Sequence, residues 1–369
     1  MRNHSKEKRI GWVITDQLDA MPYWPRVDTS LGGIALARLH WIAQRLNRDR
    51  NSGLVYDVYK PWRRYDALVF LKSMGGSAEA LARRYRDAGK PVVFDANVNY
   101  YTRQGTEHYK GMLPTPEQKT QAIAMTNIAS MVVADSRYIA RQAARFHDGC
   151  VKWIPDNVET DSIPVMRKRA KSKRLRLAWC GESMKLFEFL VVENVLREVA
   201  QHIELVIVTN AAASQVRWRG GYANRLKKLF TELRVEMIRY TGLDALFEVY
   251  NNADIVVAPR FLDNSYNLGH SEWKISLGLS CGCPALVSAV PSYVDVAERS
   301  SEKVVTLCAA AEDWHKSINR LLIDGVDHNV RQSARQVVTD HYSSRVIANE
   351  HVKLWAEIFE GESIGSVES

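Results

Sequence analysis

The sequence predicts an α/β protein made of two Rossmann-like, doubly wound domains. Three observations lead to this prediction: short apolar runs alternate with helical patterns, the alternation restarts after a basic stretch, and 369 residues suffice for two ordinary cores. Continuously apolar strands that alternate with helices are typical of parallel sheets covered on both faces. Ligands bind such sheets beyond the carboxyl ends of the strands, so we expect a site in a cleft that the two domains face.

The first series of elements fills an N-terminal domain, 1–158. Apolar runs predict its strands, and apolar residues spaced three to four apart predict its helices. Strands are expected at 10–14, 65–71, 91–94, 131–134 and 151–154. Helices are expected at 33–46, 77–88 and 117–130, and from 137 to about 146, where Ser136 is the expected N-cap.

The second series follows a basic linker, 159–174, and fills a C-terminal domain, 175–342. Its strands are expected at 175–179, 203–208, 235–240, 254–258, 284–288 and 304–307. Its helices are expected at 187–202, 222–233, 243–251 and 273–282, followed by further helices near the end. The last segment, 343–369, holds a helix at 344–359 and a polar tail.

Composition narrows the class of protein. No run of about 18 apolar residues could span a bilayer, and the N-terminus lacks the apolar core of a signal peptide, so we expect a cytoplasmic protein. The five scattered cysteines suit free thiols in a reducing compartment, and no zinc spacing occurs among them. The net charge of +8 favours anionic partners or simply solubility, and without a nucleic-acid-binding motif we do not expect a nucleic acid partner.

The most informative stretch runs from Asp254 to Ser288. A strand ends at Pro259, a polar loop follows, and Ser271 lies where a helix N-cap is expected. The free amides of a helix start attract anions, and Ser271 and Lys274 add donors, so this pattern predicts a diphosphate site. The same residues also fit an ordinary strand–helix–strand crossover whose polar start is only a cap.

This stretch resembles the donor-binding region of GT-B glycosyltransferases, in particular the retaining family 4. Those proteins often carry Lys-x-x-Glu-x-x-Ala-x-Gly-x-Pro-Val-Val-Ala-Ser. The chain has matching residues in the same register at Lys274, Gly282, Pro284 and Ser288, and it has Val287 where the pattern has its last alanine. Further segments that resemble the family follow in its order: 30–33, 131–138, 154–158, 177–181 with Lys185, and 253–255.

The resemblance implies a hexosyltransferase-like enzyme of glycan biosynthesis. It would move a sugar from a nucleoside-diphosphate sugar to a hydroxyl of a glycan, a lipid-linked molecule or a small molecule, with retention. It implies no cofactor and no metal, and a final helix that returns to the first domain. A lipid-linked acceptor suits the basic charge, so peripheral association with the inner membrane surface is expected. A nucleotide-sugar epimerase of the same fold and a non-catalytic nucleotide-sugar or glycan-binding protein remain as alternatives.

The resemblance and the strand ends together select candidate residues. Three cations, Lys185, Lys274 and Arg260, would stabilise the charge on the leaving diphosphate. The catalytic candidates are Asp95, Lys185 and Lys274; the donor-binding candidates are Gly181, Ser183, Arg260, Asp263, Ser271 and Glu272; the acceptor-binding candidates are Asp16, Gly32, Gly33 and Asn97. Asp95 fits an Asx turn or a cap at a strand end equally well, and His108 is expected at the surface.

The donor site also departs from the family's pattern. Leu277 and Gly269 stand where many members carry two glutamates, one of which holds the ribose hydroxyls. Glu272 or Asp263 is expected to substitute for them. Where the family has Gly-Arg after the first strand of the second domain, this chain has Gly-Glu, with Glu182 in the place of the arginine. Because these residues are missing, a non-catalytic protein that binds a nucleotide sugar or a glycan remains an alternative.

Overall fold

The computed structural model describes residues 7–14, 33–163, 174–210 and 218–364. They form two six-stranded parallel sheets flanked by helices, which confirms the predicted α/β class with two Rossmann-like domains. The chain divides into two compact units. Unit 1 comprises Met1–Arg103, Pro114–Glu159 and Tyr342–Ser369, and unit 2 comprises Gln104–Leu113 and Thr160–His341.

The sheet of unit 1 has the strand order β2-β1-β3-β4-β5-β6, and all its pairs are parallel. Its strands are β1 (Lys8–Ile14), β2 (Leu54–Val58), β3 (Ala67–Leu71), β4 (Val92–Ala96), β5 (Met131–Ala134) and β6 (Val151–Trp153). The strand β2 was not among the strands predicted from the sequence. This edge strand alternates buried and half-buried residues, so it lacks the continuous apolar run that marks the inner strands.

The α-helices over residues 33–143 are α1 (Gly33–Ala35), which continues through a π-helical turn (Leu36–His40) into α2 (Trp41–Arg48), then α3 (Gly76–Asp87), α4 (Pro116–Ile128) and α5 (Arg137–Ala143). Two of these helices, α4 and α5, begin at side-chain caps. Thr115 and Gln118 form a reciprocal capping box at the start of α4, with Pro116 as the first helical residue. Ser136 caps α5 as predicted, because its side chain accepts a hydrogen bond from the Ile139 amide.

The sheet of unit 2 has the strand order β12-β11-β10-β7-β8-β9, again with parallel pairs. Its strands are β7 (Leu175–Cys180), β8 (Ile203–Thr209), β9 (Val235–Arg239), β10 (Ile255–Ala258), β11 (Ala285–Ser288) and β12 (Val305–Cys308). Counted within the unit, this is the order of dinucleotide-binding folds, and it reverses between β7 and β10. The carboxyl ends of these two strands therefore form the switch point at which such sheets bind ligands.

Eight α-helices accompany this sheet among the described residues of unit 2. They are α6 (Glu193–Glu198), α7 (Tyr222–Glu232), α8 (Leu243–Asn251), α9 (Ser265–Leu268), α10 (Trp273–Ser280), α11 (Pro291–Ala297), α12 (Ala311–Asp324) and α13 (His328–His341). Part of the helix predicted at 187–202 is confirmed, because α6 lies within this range, but its first residues are not α-helical. A 3-10 segment, Ser183–Val191, precedes α6, and residues 186–190 are all buried, so one apolar helical stripe does not describe this segment.

The final helix, α14 (Ser344–Ile364), belongs to unit 1. Its Trp355 is buried in the same core as Trp12 and Tyr56, and the Trp355 indole donates a hydrogen bond of 2.6 Å to the Tyr56 hydroxyl. That hydroxyl also lies 2.9 Å from Nδ1 of the buried His351. The core of unit 1 is thus completed by residues from near the end of the sequence. None of the described helices is both long and apolar enough to cross a membrane.

Candidate functional site

Gly181 follows β7 directly and lies at the switch point of unit 2. A Cβ atom at this position would come within 2.7 Å of the Trp179 ring and 3.2 Å of Lys274 Nζ. The first distance is shorter than any ordinary carbon contact, so glycine is the residue that lets the backbone pass between these two side chains. The structure therefore brings together Gly181 and Lys274, two of the residues selected from the sequence.

Lys274 lies in the first turn of α10. Its Nζ is 4.4 Å from the centroid of the Trp179 ring, and it is buried without a hydrogen-bond partner among the described residues. Burial, followed by the positive charges of Arg260 and Lys185, lowers the pKa of Lys274 to about 7, although Glu188 opposes this. A buried ammonium group without a partner is unfavourable, and an anion in contact with Nζ would relieve that cost.

Arg260 follows β10 and is fully buried, as is its partner Glu188. The Arg260 Nη1 donates to Glu188 Oε1 over 2.8 Å, and its Nε donates to the Tyr293 hydroxyl over 3.3 Å. Sequence analysis missed Glu188. It is the one acidic residue in an apolar run, 186–190, and that isolation was the available signal, because buried carboxylates are nearly always paired.

Lys185 lies on the 3-10 segment and approaches the loop before α10. Its Nζ is 3.4 Å from His270 Nε2 and 5.6 Å from the centroid of the Tyr266 ring. Burial and the charges of Arg260, Lys185 and Lys274 keep the pKa of His270 well below its ordinary value, so its imidazole is neutral near pH 7. The basic side chains of Arg260, Lys185 and Lys274 thus lie near a neutral histidine that was not selected from the sequence.

Ser183 and Ser271 take different places around this cluster. Ser183 is buried at the start of the 3-10 segment, and its amide donates to Asn210 Oδ1, just beyond β8, over 2.8 Å. The N-cap predicted at Ser271 was wrong by one residue. The buried Glu272 is the N-cap, because its carbonyl already accepts hydrogen bonds from the amides of Ile275 and Ser276, both over 3.0 Å.

Asp263 is half-exposed and is paired with His108. The His108 Nε2 lies 3.0 Å from Asp263 Oδ1, and its Nδ1 lies 2.9 Å from the Tyr222 hydroxyl. The surface position expected for His108 was wrong: the ring is 2% exposed because it stacks on Phe187 and Phe261. Burial raises the pKa of Asp263, but hydrogen bonds, above all the one with His108, outweigh it and lower the pKa below its usual value.

In unit 1, Asp95 ends up in a buried ion pair. Its two carboxylate oxygens accept hydrogen bonds from Arg38 Nε and Nη2 over 3.0 and 3.1 Å, and Arg38 also donates to the Ile154 carbonyl over 2.6 Å. Burial raises the pKa of Asp95, and Arg38 offsets part of that rise. In this arrangement Asp95 neutralises Arg38 within the core, and its role as a catalytic residue stays a prediction.

Two of the four acceptor-binding candidates, Asn97 and Gly33, lie among the described residues. Asn97 is half-buried in the loop after β4, and Gly33 is exposed as the first residue of α1. Asp16 and Gly32 lie outside the described residues. Within the described ranges, no group of three His, Cys, Asp or Glu residues is arranged to hold a metal ion.

Comparison with known proteins establishes the fold. No protein-family model matches this sequence, and no curated protein is significantly similar to it. Solved structures, in contrast, match almost the whole chain. HepE of Anabaena, solved with UDP and glucose, has 12% identity and a TM-score of 0.65, and the match covers 95% of this chain and 100% of HepE.

Two further solved structures are similar to a comparable degree. For sucrose-phosphate synthase of Thermosynechococcus elongatus the identity is 14% and the TM-score 0.68, with 96% of this chain and 100% of that chain covered. For AviGT4, a glycosyltransferase involved in avilamycin A biosynthesis, the identity is 13% and the TM-score 0.58, with 96% and 98% covered. The chain therefore has the GT-B fold that these proteins share.

Proposed function

We propose that this chain is a glycosyltransferase that moves a sugar from a nucleoside-diphosphate sugar to an acceptor hydroxyl, with the donor bound by unit 2. The observation that carries the proposal is the cluster of Lys185, Arg260 and Lys274 at the switch point between β7 and β10. Negative charge develops on the diphosphate as it leaves the sugar. Cations fixed in advance stabilise that charge without reorganising during the reaction.

The charges within the cluster suit a diphosphate. Glu188 neutralises Arg260 through their buried ion pair, so Lys185 and a protonated Lys274 supply the two uncompensated positive charges of this group. Lys274 Nζ lies 3.2 Å from the position that a Cβ of Gly181 would occupy, so a phosphate that binds to the backbone after β7 would lie beside the ammonium group. Glu272 and Asp263 remain candidates to hold the ribose.

The donor, the stereochemistry and the acceptor are proposed from the similarity to solved glycosyltransferase structures and from the family that the sequence motifs resemble. HepE is solved with UDP-glucose, so a uridine diphosphate sugar is the first donor to test. Retention of configuration follows the family that the sequence motifs resemble. A glycan or lipid-linked acceptor, peripheral association with the inner membrane surface, and activity without a metal are further parts of the proposal, favoured by the net charge of +8 and by the resemblance.

A donor panel tests the reaction. The protein is incubated with UDP-, GDP-, dTDP- and ADP-sugars, and release of the nucleoside diphosphate is measured with and without candidate acceptors. Release that depends on an acceptor is the expected result. Conversion of the donor without release would instead indicate an epimerase, and thermal stabilisation by a nucleotide without either reaction would indicate a binding protein.

A substitution tests the place of the diphosphate. We expect Lys274→Ala to weaken donor binding about tenfold to a hundredfold, since hydrogen bonds to charged groups contribute about 1.5–3 kcal/mol. Lys353→Ala, which removes an exposed lysine from α14, is the control and should leave affinity unchanged. If Lys274→Ala binds the donor as tightly as the unsubstituted chain, the diphosphate lies elsewhere.

A further inference from the structure

We infer that unit 2 takes up a proton when it binds a nucleotide sugar, and that Lys274 is the residue that holds this proton. The inference rests on the function proposed above and adds a property of the donor site. Lys274 Nζ is buried and has no hydrogen-bond partner among the residues that the structure describes. It faces the ring of Trp179.

The groups around Lys274 come from three parts of unit 2. Two cations, Arg260 after β10 and Lys185 on the 3-10 segment, repel the charged ammonium, and one carboxylate, Glu188, attracts it. Cys180, at the end of β7, is a neutral thiol near pH 7, because burial raises its pKa to about 11. The carboxylate of Glu188 is already engaged by Arg260, so nothing in this set fully compensates a charge on Lys274.

The consequence is a lysine that is only partly charged at neutral pH. Burial is the main cause, and the pKa of about 7 means that about half of the molecules carry the proton at pH 7. His270 is the other group in the cluster that could accept a proton. Its imidazole also faces Arg260, Lys185 and Lys274, so it has to be tested as the rival site.

A bound diphosphate changes this balance. Two negative charges in contact with Nζ favour the ammonium form and move its pKa back towards the ordinary value of about 10.4. Binding therefore protonates those molecules in which Lys274 was neutral, and the protons come from the solvent. Affinity should be nearly constant below about pH 7, where Lys274 is already charged, and should fall about tenfold for each pH unit above it.

Titration calorimetry measures the uptake directly. UDP-glucose is the probe, because its diphosphate is a diester without a phosphate proton to exchange near neutral pH. Titrations in two buffers with different ionisation enthalpies give the number of protons bound. We expect an uptake of about 0.9 proton at about pH 8 and about 0.1 at about pH 6.

Three variants assign the proton. Lys274→Arg is always charged and Lys274→Met is never charged, so binding to either variant should take up no proton. Using both variants keeps the test possible if one of them does not fold. His270→Gln should retain the uptake. The inference is overturned if the nucleotide sugar binds without uptake, or if uptake persists in Lys274→Met; in both cases the donor site itself would stand. If UDP-, GDP-, dTDP- and ADP-glucose all fail to bind, the proposed function falls and the inference with it.

Discussion

At the scale of single residues, Gly181 is the position whose identity the site restricts most clearly. Any side chain would meet the Trp179 ring at 2.7 Å and approach Lys274 Nζ, and Trp179 is fully buried, so the ring has little space to retreat. Lys274 Nζ lies 4.4 Å from the centroid of this ring, so a displaced ring would also disturb the ammonium group.

We therefore expect Gly181→Ala to destabilise the protein by about 1–3 kcal/mol, the usual cost of overpacking, and to weaken donor binding by displacing Lys274. Chemical unfolding and nucleotide-sugar titration measure the two effects. Gly220→Ala is the matched control in the same unit, because a Cβ there meets no atom within 4 Å. Equal stability and affinity for the two variants would show that the contact at Gly181 is unimportant.

The sequence could predict part of this site and not the rest. Lys185, Arg260, Lys274 and Gly181 each follow a predicted strand or begin a predicted helix, and parallel strands end at one edge of a sheet. The isolation of Glu188 in the apolar run 186–190 indicates a buried, paired carboxylate, but it does not identify the partner, Arg260, which is 72 residues away along the chain. Pairing at such a separation leaves no local pattern.

At the scale of elements, α14 shows how strongly unit 1 depends on residues from a distant part of the sequence. His351 on this helix is buried beside the Tyr56 hydroxyl. Burial, with a smaller contribution from the charge of Arg38, lowers the pKa of His351 from 6.5 to about 3. The folded protein therefore holds His351 neutral where the unfolded chain would protonate it.

This difference predicts a dependence of stability on pH. The unfolded chain binds more protons than the folded protein between about pH 3 and about pH 6.5, so stability falls as the pH is lowered through this range, by roughly 4 kcal/mol in total. His351→Gln cannot be protonated and should lose less stability. Urea unfolding at a series of pH values checks this, and identical slopes for the two proteins would contradict it.

Two of the elements that were not predicted from the sequence share a physical cause. β2 and the 3-10 segment, Ser183–Val191, do not follow the simple periods of a central strand or an amphipathic helix. β2 alternates because it lies at a sheet edge, and the 3-10 segment is apolar over 186–190 because the core surrounds it. The inner strands, whose residues are nearly all buried, were predicted to within about two residues.

At the scale of the whole molecule, neither unit is a single stretch of chain. Unit 2 includes Gln104–Leu113, a short segment that leaves unit 1 and returns to it along the sequence. Within unit 2 this segment places His108 against the rings of Phe187 and Phe261, and Gly105 pairs with Asn264. Gly105 has a left-handed backbone, with φ of 89°, and a Cβ there would collide with the backbone of Asp263.

A fragment experiment follows from this interleaving. We expect residues 160–341, expressed alone, to be less stable than the same fragment fused to 104–113 through a flexible linker, because the segment covers aromatic surface. Urea unfolding and binding of a hydrophobic dye are the measurements. A fusion that carries His108→Ala is the control and should recover only part of the stability. Equal stability of the bare and fused fragments would refute the role given to the segment.

A crystal structure of the chain grown with UDP-glucose, or with another nucleotide sugar that binds, locates the diphosphate directly. We expect diphosphate oxygens within hydrogen-bonding distance of Lys274 Nζ, beside Gly181 at the ends of β7 and β10. A nucleotide bound at another place, with no contact between its phosphates and Lys274 Nζ, would show that the donor site proposed in unit 2 is wrong.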